Sequence, residues 1–217
     1  MHFKAFLFDM DGVVIDSQAE VERFWHIVAQ KYSVKLTQAD FEQHIYGCPA
    51  VHTLDHLFQH LKQKDREEVE AFMYEFEKDQ RYKEIAGVTE FLRQLSRLGM
   101  PTALVTSAEH AKVREVFKQL EMTDLFDVTI SVADIKRGKP HPDCYLAAAD
   151  KLRLSPEECV VFEDSISGTE AAVAAGSFCI GVQANAGMAE QLKQKGARLI
   201  IQNFMGLDPQ QLLDIHS

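Results

Sequence analysis

From residue 86 onward the chain alternates short apolar runs with longer segments of helical period, and this alternation constrains the fold more than any other feature. The runs at 102–106, 128–131, 159–162 and 178–182 are predicted strands, with a last short one at 199–201. The segments 88–98, 110–120, 142–152 and 168–175 between them are predicted helices. An earlier apolar run, 3–8, is stopped by Asp-Met-Asp-Gly and supplies the first strand. Such alternation implies βαβ units, and so an α/β fold: a doubly wound, mostly parallel, Rossmann-like sheet.

Residues 17–83 interrupt the pattern with charged sequence of helical period and few apolar runs of the strand type. At 217 residues the chain is long for one plain core and short for two independent ones. The expectation is therefore an α/β core made of 1–16 and 84–217, carrying an inserted α-helical domain at 17–83. Within the insertion Leu54, Leu57, Phe58 and Leu61 form an apolar stripe at helical spacing, which places His52, His56 and His60 on the opposite face. Three histidines at that spacing stack along a helix as metal ligands do, but no carboxylate or cysteine completes the set, so they are expected to form a solvated face.

With 23 basic residues against 33 acidic ones, the net charge of -10 opposes the counterion release that drives nucleic-acid binding, so no nucleic-acid partner is expected. An acidic protein that binds a phosphorylated ligand must supply its own local cation. The four cysteines Cys48, Cys144, Cys159 and Cys179 form no close pair and are expected to be reduced. Charged residues interrupt the N-terminal apolar stretch before it reaches the length of a signal or membrane span, which predicts a cytoplasmic protein without a membrane partner. Monomer is the default expectation.

Ligands of open α/β sheets bind beyond the carboxyl ends of the strands, so the residues at those ends carry the functional reading. The first strand ends in Asp9 and Asp11, the second in Thr106 and Ser107, and the strand at 159–162 in Glu163 and Asp164. Residues two apart leave a strand on the same side, so Asp9 and Asp11 can share a pocket before Gly12 turns the chain. Lys139, in the loop after the strand at 128–131, can reach the same edge. Clustered carboxylates repel one another and call for a cation; magnesium, a hard ion that takes oxygen ligands, suits a set lacking Cys and His. Asp16, by contrast, is expected to be a helix cap or turn residue.

The segments FDMDGVVIDS (8–17), LVTSA (104–108), RGKPHPD (137–143) and VFEDSISG (161–168) resemble the four motifs of the haloacid dehalogenase superfamily. Within it the chain looks most like the β-phosphoglucomutase and sugar-phosphatase branch, whose helical cap is inserted where 17–83 lies. The resemblance implies that Asp9 attacks phosphorus to form an aspartyl-phosphate, while Asp11 protonates the leaving oxygen and then activates water. It implies that Thr106 holds the phosphoryl group through its hydroxyl, Ser107 through its backbone N–H, and that Lys139 neutralises charge. It further implies that Glu163 and Asp164 anchor Mg2+ with the Asp9 carboxylate and the Asp11 backbone carbonyl.

The implied activity is a magnesium-dependent phosphatase of small phosphorylated metabolites, sugar or polyol monophosphates. The dehalogenases of the superfamily lack an acid at the position of Asp11, and its P-type ATPases carry a different sequence after the nucleophile. β-Phosphoglucomutases place a His where this chain has Val21 and an Arg where it has Ala50, so the sequence favours transfer to water over transfer back to a sugar. A receiver-type signalling domain has its phosphorylated Asp after the third strand rather than the first. Phosphonate cleavage requires a cap lysine forming a Schiff base; Lys31, Lys35, Lys62, Lys64 and Lys78 are expected instead to be solvated. The loop from Tyr46 to His52 is expected to face the active site, with Gly47 allowing close approach and Cys48 and Val51 offering little grip on a second phosphate.

Overall fold

Phe6 and Phe8 pack into one apolar layer while Ala5 and Leu7 pack into another, so the first strand is buried on both faces. A computed structural model describes residues 3–214, and among them six strands form a single parallel sheet. These are β1 (Ala5–Phe8), β2 (Thr102–Val105), β3 (Val128–Ile130), β4 (Cys159–Glu163), β5 (Phe178–Val182) and β6 (Leu199–Ile201), in the order β3-β2-β1-β4-β5-β6. The order reverses direction at β1, which pairs with β2 on one side and β4 on the other. Phe8 lies opposite both Leu104 and Phe162. The next residues on β1 and β4, Asp9 and Glu163, therefore leave the sheet side by side at the switch point where such folds bind ligands. The doubly wound parallel sheet is as expected, with strand ends differing by a residue or two.

After β1 the chain turns through Gly12 and leaves the sheet layer at Ile15, which bridges antiparallel to Glu84 on the returning segment. The backbone N–H of Asp16 donates to the Lys83 carbonyl at 2.9 Å, and that of Ile85 to Val14 at 3.0 Å. Between these points run α1 (Gln18–Lys31), α2 (Gln38–Asp40) continuing into a π-helical turn (Phe41–Ile45), α3 (Ala50–Leu57) and α4 (Gln63–Lys78). Phe24, Trp25, Phe41, Leu54, Phe58 and Val69 build a core of their own here, separate from the two layers on the sheet.

Two sequence expectations are corrected in this segment. Helix α3 ends at Leu57, with Phe58 as its C-terminal cap, so His60 lies outside the helix and does not continue the line of His52 and His56. The residue that joins them is His44, from the π-helical turn. Asp16 does not cap α1: Ser17 occupies the cap position, and the Ser17 hydroxyl is turned to Asp11 instead of to the helix.

The return leg carries α5 (Val88–Arg97), α6 (His110–Leu120), α7 (Asp143–Leu152), α8 (Ile166–Ala175), α9 (Ala186–Gln194) and α10 (Pro209–Leu213). Phe91 and Leu92 of α5 with Val113 and Val116 of α6 cover the face bearing Phe6, Phe8 and Phe162. Tyr145 and Ala148 of α7 with Ala171 and Ala172 of α8 cover the face bearing Leu7 and Val161. Full burial of a large apolar side chain such as Phe91 or Leu92 contributes about 1.5–3 kcal/mol. All four cysteines are unpaired. Among the described residues no helix is long and apolar enough to cross a membrane.

Candidate active site

Asp9 is the first residue past β1, held by its backbone N–H on the Phe162 carbonyl at 3.0 Å. The residue is 3% exposed, and its carboxylate is paired with the Lys139 ammonium. The same ammonium donates to Glu163 Oε1 at 2.5 Å, and the Tyr145 hydroxyl donates to that oxygen at 2.5 Å. Glu163 Oε2 accepts from the Ser165 hydroxyl and the Asp164 backbone N–H, each at 3.1 Å. Glu163 is thus a fully engaged, buried strut that fixes Lys139, and Lys139 in turn fixes Asp9. Removing the lysine would strand two buried carboxylates.

Asp11 is built differently. Its Oδ1 accepts from the Ser17 hydroxyl at 2.5 Å and from the Lys112 ammonium at 2.7 Å. Lys112 also lies 3.8 Å from Glu77 Oε1, so it links Asp11 on the sheet edge to α4 of the helical segment. With Oδ1 taking both donors, Oδ2 is the oxygen of Asp11 without a hydrogen-bond partner among the described residues.

Thr106 is buried at the end of β2, where its hydroxyl accepts from the Ala108 backbone N–H at 3.1 Å. The Ser107 hydroxyl donates to the Gly47 carbonyl at 2.7 Å, which ties its side chain to the loop before α3. Asp9, Asp11, Thr106, Ser107 and Asp164 line one cavity of about 480 Å3, whereas Lys139 and Glu163 stand behind Asp9, outside the lining. The opposite wall comes from the helical segment and is mainly apolar, with Val21, Phe24, Ala50, Val51 and Met73. Glycine is required at position 12 on two counts: its φ is +79°, and a Cβ there would stand 1.9 Å from Asp164 Oδ2.

Asp9, Glu163 and Asp164 bring carboxylate oxygens within 4.8 Å of one another. Burial pushes the Asp9 carboxyl up to about 7, because Lys139 offsets only part of the desolvation and Glu163 adds repulsion. Burial likewise holds Asp164 well above the usual carboxylate range, reinforced by the Glu163 and Asp9 charges. Lys112 and Lys139 are shifted the other way: burial works against their charge, but the carboxylates beside them outweigh it and raise both above the ordinary lysine value. The pocket therefore holds more negative charge than its own lysine neutralises. An oxygen-only donor set in that condition fits a hard dication such as Mg2+. Among the described residues Asp164 has no hydrogen bond to its carboxylate and is free to serve as a ligand.

A family model for haloacid dehalogenase-like hydrolases matches residues 3–176. The chain belongs to the haloacid dehalogenase-like hydrolase family. It is 34% identical over 190 residues to hexitol phosphatase A of Escherichia coli, covering 86% of each chain. It is 35% identical over 177 residues to a phosphorylated carbohydrates phosphatase of Thermotoga maritima, covering 80% of this chain and 82% of that one. Among solved structures, a putative β-phosphoglucomutase from Bacteroides vulgatus superposes with a TM-score of 0.83 at 26% identity, over 94% of this chain and 85% of the other.

Four residues of this hydrolase's site were not singled out from its sequence: Ser17, Glu77, Lys112 and Tyr145. One of them left a signal. Lys112 sits in the first turn of α6, where the helix macrodipole disfavours a cation, so its presence there breaks a local rule that a distant carboxylate compensates. Tyr145 and Glu77 carry no comparable mark, because each meets its partner only through the tertiary fold.

Proposed function

We propose that this hydrolase is a magnesium-dependent phosphatase of small phosphorylated metabolites, acting in the cytoplasm on sugar or polyol monophosphates, with residues 17–83 as the cap over the site. The observation that carries phosphatase over mutase is the cavity lining. Among the described residues its one cation is Lys112, and that ammonium is committed to Asp11 and Glu77. A mutase must grip a second phosphate when the sugar is doubly phosphorylated; Glu20, Glu70, Glu77 and Glu109 around this cavity would repel it. The phosphatase names of the curated relatives support the same reading.

In the proposed reaction Asp9 attacks phosphorus, the bond from phosphorus to the substrate oxygen breaks, and that oxygen takes a proton from Asp11 Oδ2. Water then attacks phosphorus of the aspartyl-phosphate, giving its proton to Asp11, and inorganic phosphate leaves with Asp9 restored. Thr106 and the Ser107 backbone hold the phosphoryl oxygens, and Lys139 balances charge on Asp9 and on the phosphate. Ser17 and Lys112 keep Oδ1 of Asp11 occupied, so the proton resides on the oxygen free to turn to the substrate. Asp9, Glu163, Asp164 and the Asp11 carbonyl would hold Mg2+; the ion would offset the repulsion between an anionic nucleophile and an anionic phosphate.

The test is a panel of sugar and polyol phosphates followed by released inorganic phosphate and by sugar analysis. Phosphate release that requires Mg2+ and disappears in Asp9→Asn supports the reading. Isomerised sugar phosphate in place of inorganic phosphate would show a mutase.

A further inference from the structure

We propose that His44, His52 and His56 form a second metal site, one for a borderline transition-metal dication such as Zn2+, on the helical segment and independent of the phosphatase reading. Their ligand nitrogens all lie within 4.8 Å of one another. His44 Nδ1 and His52 Nε2 are 3.3 Å apart. Two nitrogens at 2.0–2.1 Å from a tetrahedral Zn2+ stand about 3.3 Å apart, so this pair already has the required separation.

The three rings are stacked, His52 on His56 with centroids 4.0 Å apart and planes at 23° and His44 on His56 at 4.9 Å and 15°, so the exposed His56 ring turns out of the stack to present a nitrogen to the metal. His56 Nδ1 is 2.8 Å from the His52 carbonyl, which can only accept, so Nδ1 carries the proton and Nε2 carries the lone pair. A ring N–H on a backbone carbonyl is the arrangement that fixes the tautomer of metal-bound histidines. His52 and His56 share a face of α3 at i, i+4, and His44 is brought to them by the Thr53 hydroxyl, which donates to the His44 carbonyl at 2.6 Å. Three imidazoles with no carboxylate suit Zn2+, Cu2+ or Ni2+ and disfavour Mg2+, which keeps the site chemically apart from the acidic cluster at Asp9. Without metal, one of the His44 and His52 rings donates to the other; ligation moves that proton to the far nitrogen of the same ring.

The position gives the site a consequence. His44 and His52 bracket the loop whose residues Tyr46 to Val51 line the catalytic cavity and whose Gly47 carbonyl accepts from Ser107. At Gly47 φ is +71° and a Cβ would stand 2.1 Å from Ser165 Oγ, so the loop rests directly on the sheet edge. A metal across its two ends would hold it in that position.

The test is titration of metal-stripped protein with Co2+ in excess Mg2+, followed by visible absorption, since a nitrogen-ligated site of low coordination number gives intense bands and an all-oxygen site weak ones. Zn2+ competition against a chromophoric chelator and the thermal midpoint give affinity and stabilisation. The expected result is one equivalent of Co2+ with intense bands, displaced by Zn2+, and a raised midpoint. His44→Ala, His52→Ala and His56→Ala should each weaken binding by more than about tenfold, while His60→Ala binds as the unsubstituted protein does. His56 is exposed, so its substitution does not threaten the fold. Weak bands only in the unsubstituted protein, unchanged affinity in the three variants, or an equal loss in His60→Ala would each overturn the site.

Discussion

Asp9 and Asp11 leave the same strand two residues apart, yet each meets a different lysine in a different setting. Lys139 is enclosed behind Asp9, 2% exposed, and shared with Glu163, which in turn is held by Tyr145 and Ser165. Lys112 comes from the first turn of a helix and joins Asp11 to Glu77 of α4. The first arrangement draws all its hydrogen-bonding groups from the α/β core. The second reaches across to that segment, so the group proposed to move protons senses the position of the elements above it. A fixed Asp9 and an Asp11 tied to the helical segment would suit the proposed two-step transfer, in which water must be excluded first and admitted later.

The largest expected break comes from the enclosed side. Lys139→Met should abolish measurable phosphatase activity and destabilise the metal-free protein by about 3–5 kcal/mol in urea unfolding, since buried carboxylates lose their counter-charge. Near-normal stability in this variant would mean that Asp9 and Glu163 are not held by the lysine.

On the linked side the loss should be smaller. Lys112→Met should lower kcat by roughly tenfold to a hundredfold through misplacement of Asp11, with stability changed much less than in Lys139→Met. Glu77→Gln should retain the Lys112 to Asp11 contact and cost less activity than Lys112→Met. If the two variants were equally impaired, the link to α4 rather than the orientation of Asp11 would be the essential part.

The smallest effect sharpens the contrast through pH. A carboxyl whose folded pKa is raised, as that of Asp9 is from 3.8 to about 7, binds its proton more tightly when folded. Its contribution to stability is therefore full below pH 3.8 and is lost as pH rises through about 7. Mg2+ competes with that proton, so the rise in thermal midpoint on adding Mg2+ should be larger at pH 8 than at pH 5. The difference is a few degrees, at about 2–4 °C per kcal/mol for a chain of this size. A shift independent of pH would place the ion away from Asp9.

The contrast also explains which parts of the site were legible in the sequence. Asp9, Thr106 and Glu163 could be read because each comes directly after an apolar run, and a strand delivers the next residue to a known edge; the ends of β5 and β6 were readable for the same reason. Lys112, Glu77 and Tyr145 were not, because their partners lie across the fold, Asp11 and Lys112 being 101 residues apart in sequence. The helices α9 and α10 leave little signal in the sequence, since short segments of nine and five residues carry little periodicity. Spacing alone groups His60 with His52 and His56, whereas the helix stops at Leu57 and the π-helical turn supplies His44. Local period identifies the residue at the end of a strand or along one face of a helix. It does not show which distant side chains converge.

The proposed chemistry turns on Asp9 carrying the phosphoryl group between the two half-reactions. It is tested most directly by quenching the protein during turnover of a sugar phosphate it hydrolyses, reducing the acyl phosphate with borohydride, and locating the modified residue by peptide mass spectrometry. The expected result is reduction of Asp9 to homoserine, dependent on substrate and absent in Asp9→Asn. Modification at another carboxylate, or full turnover by Asp9→Asn, would contradict it.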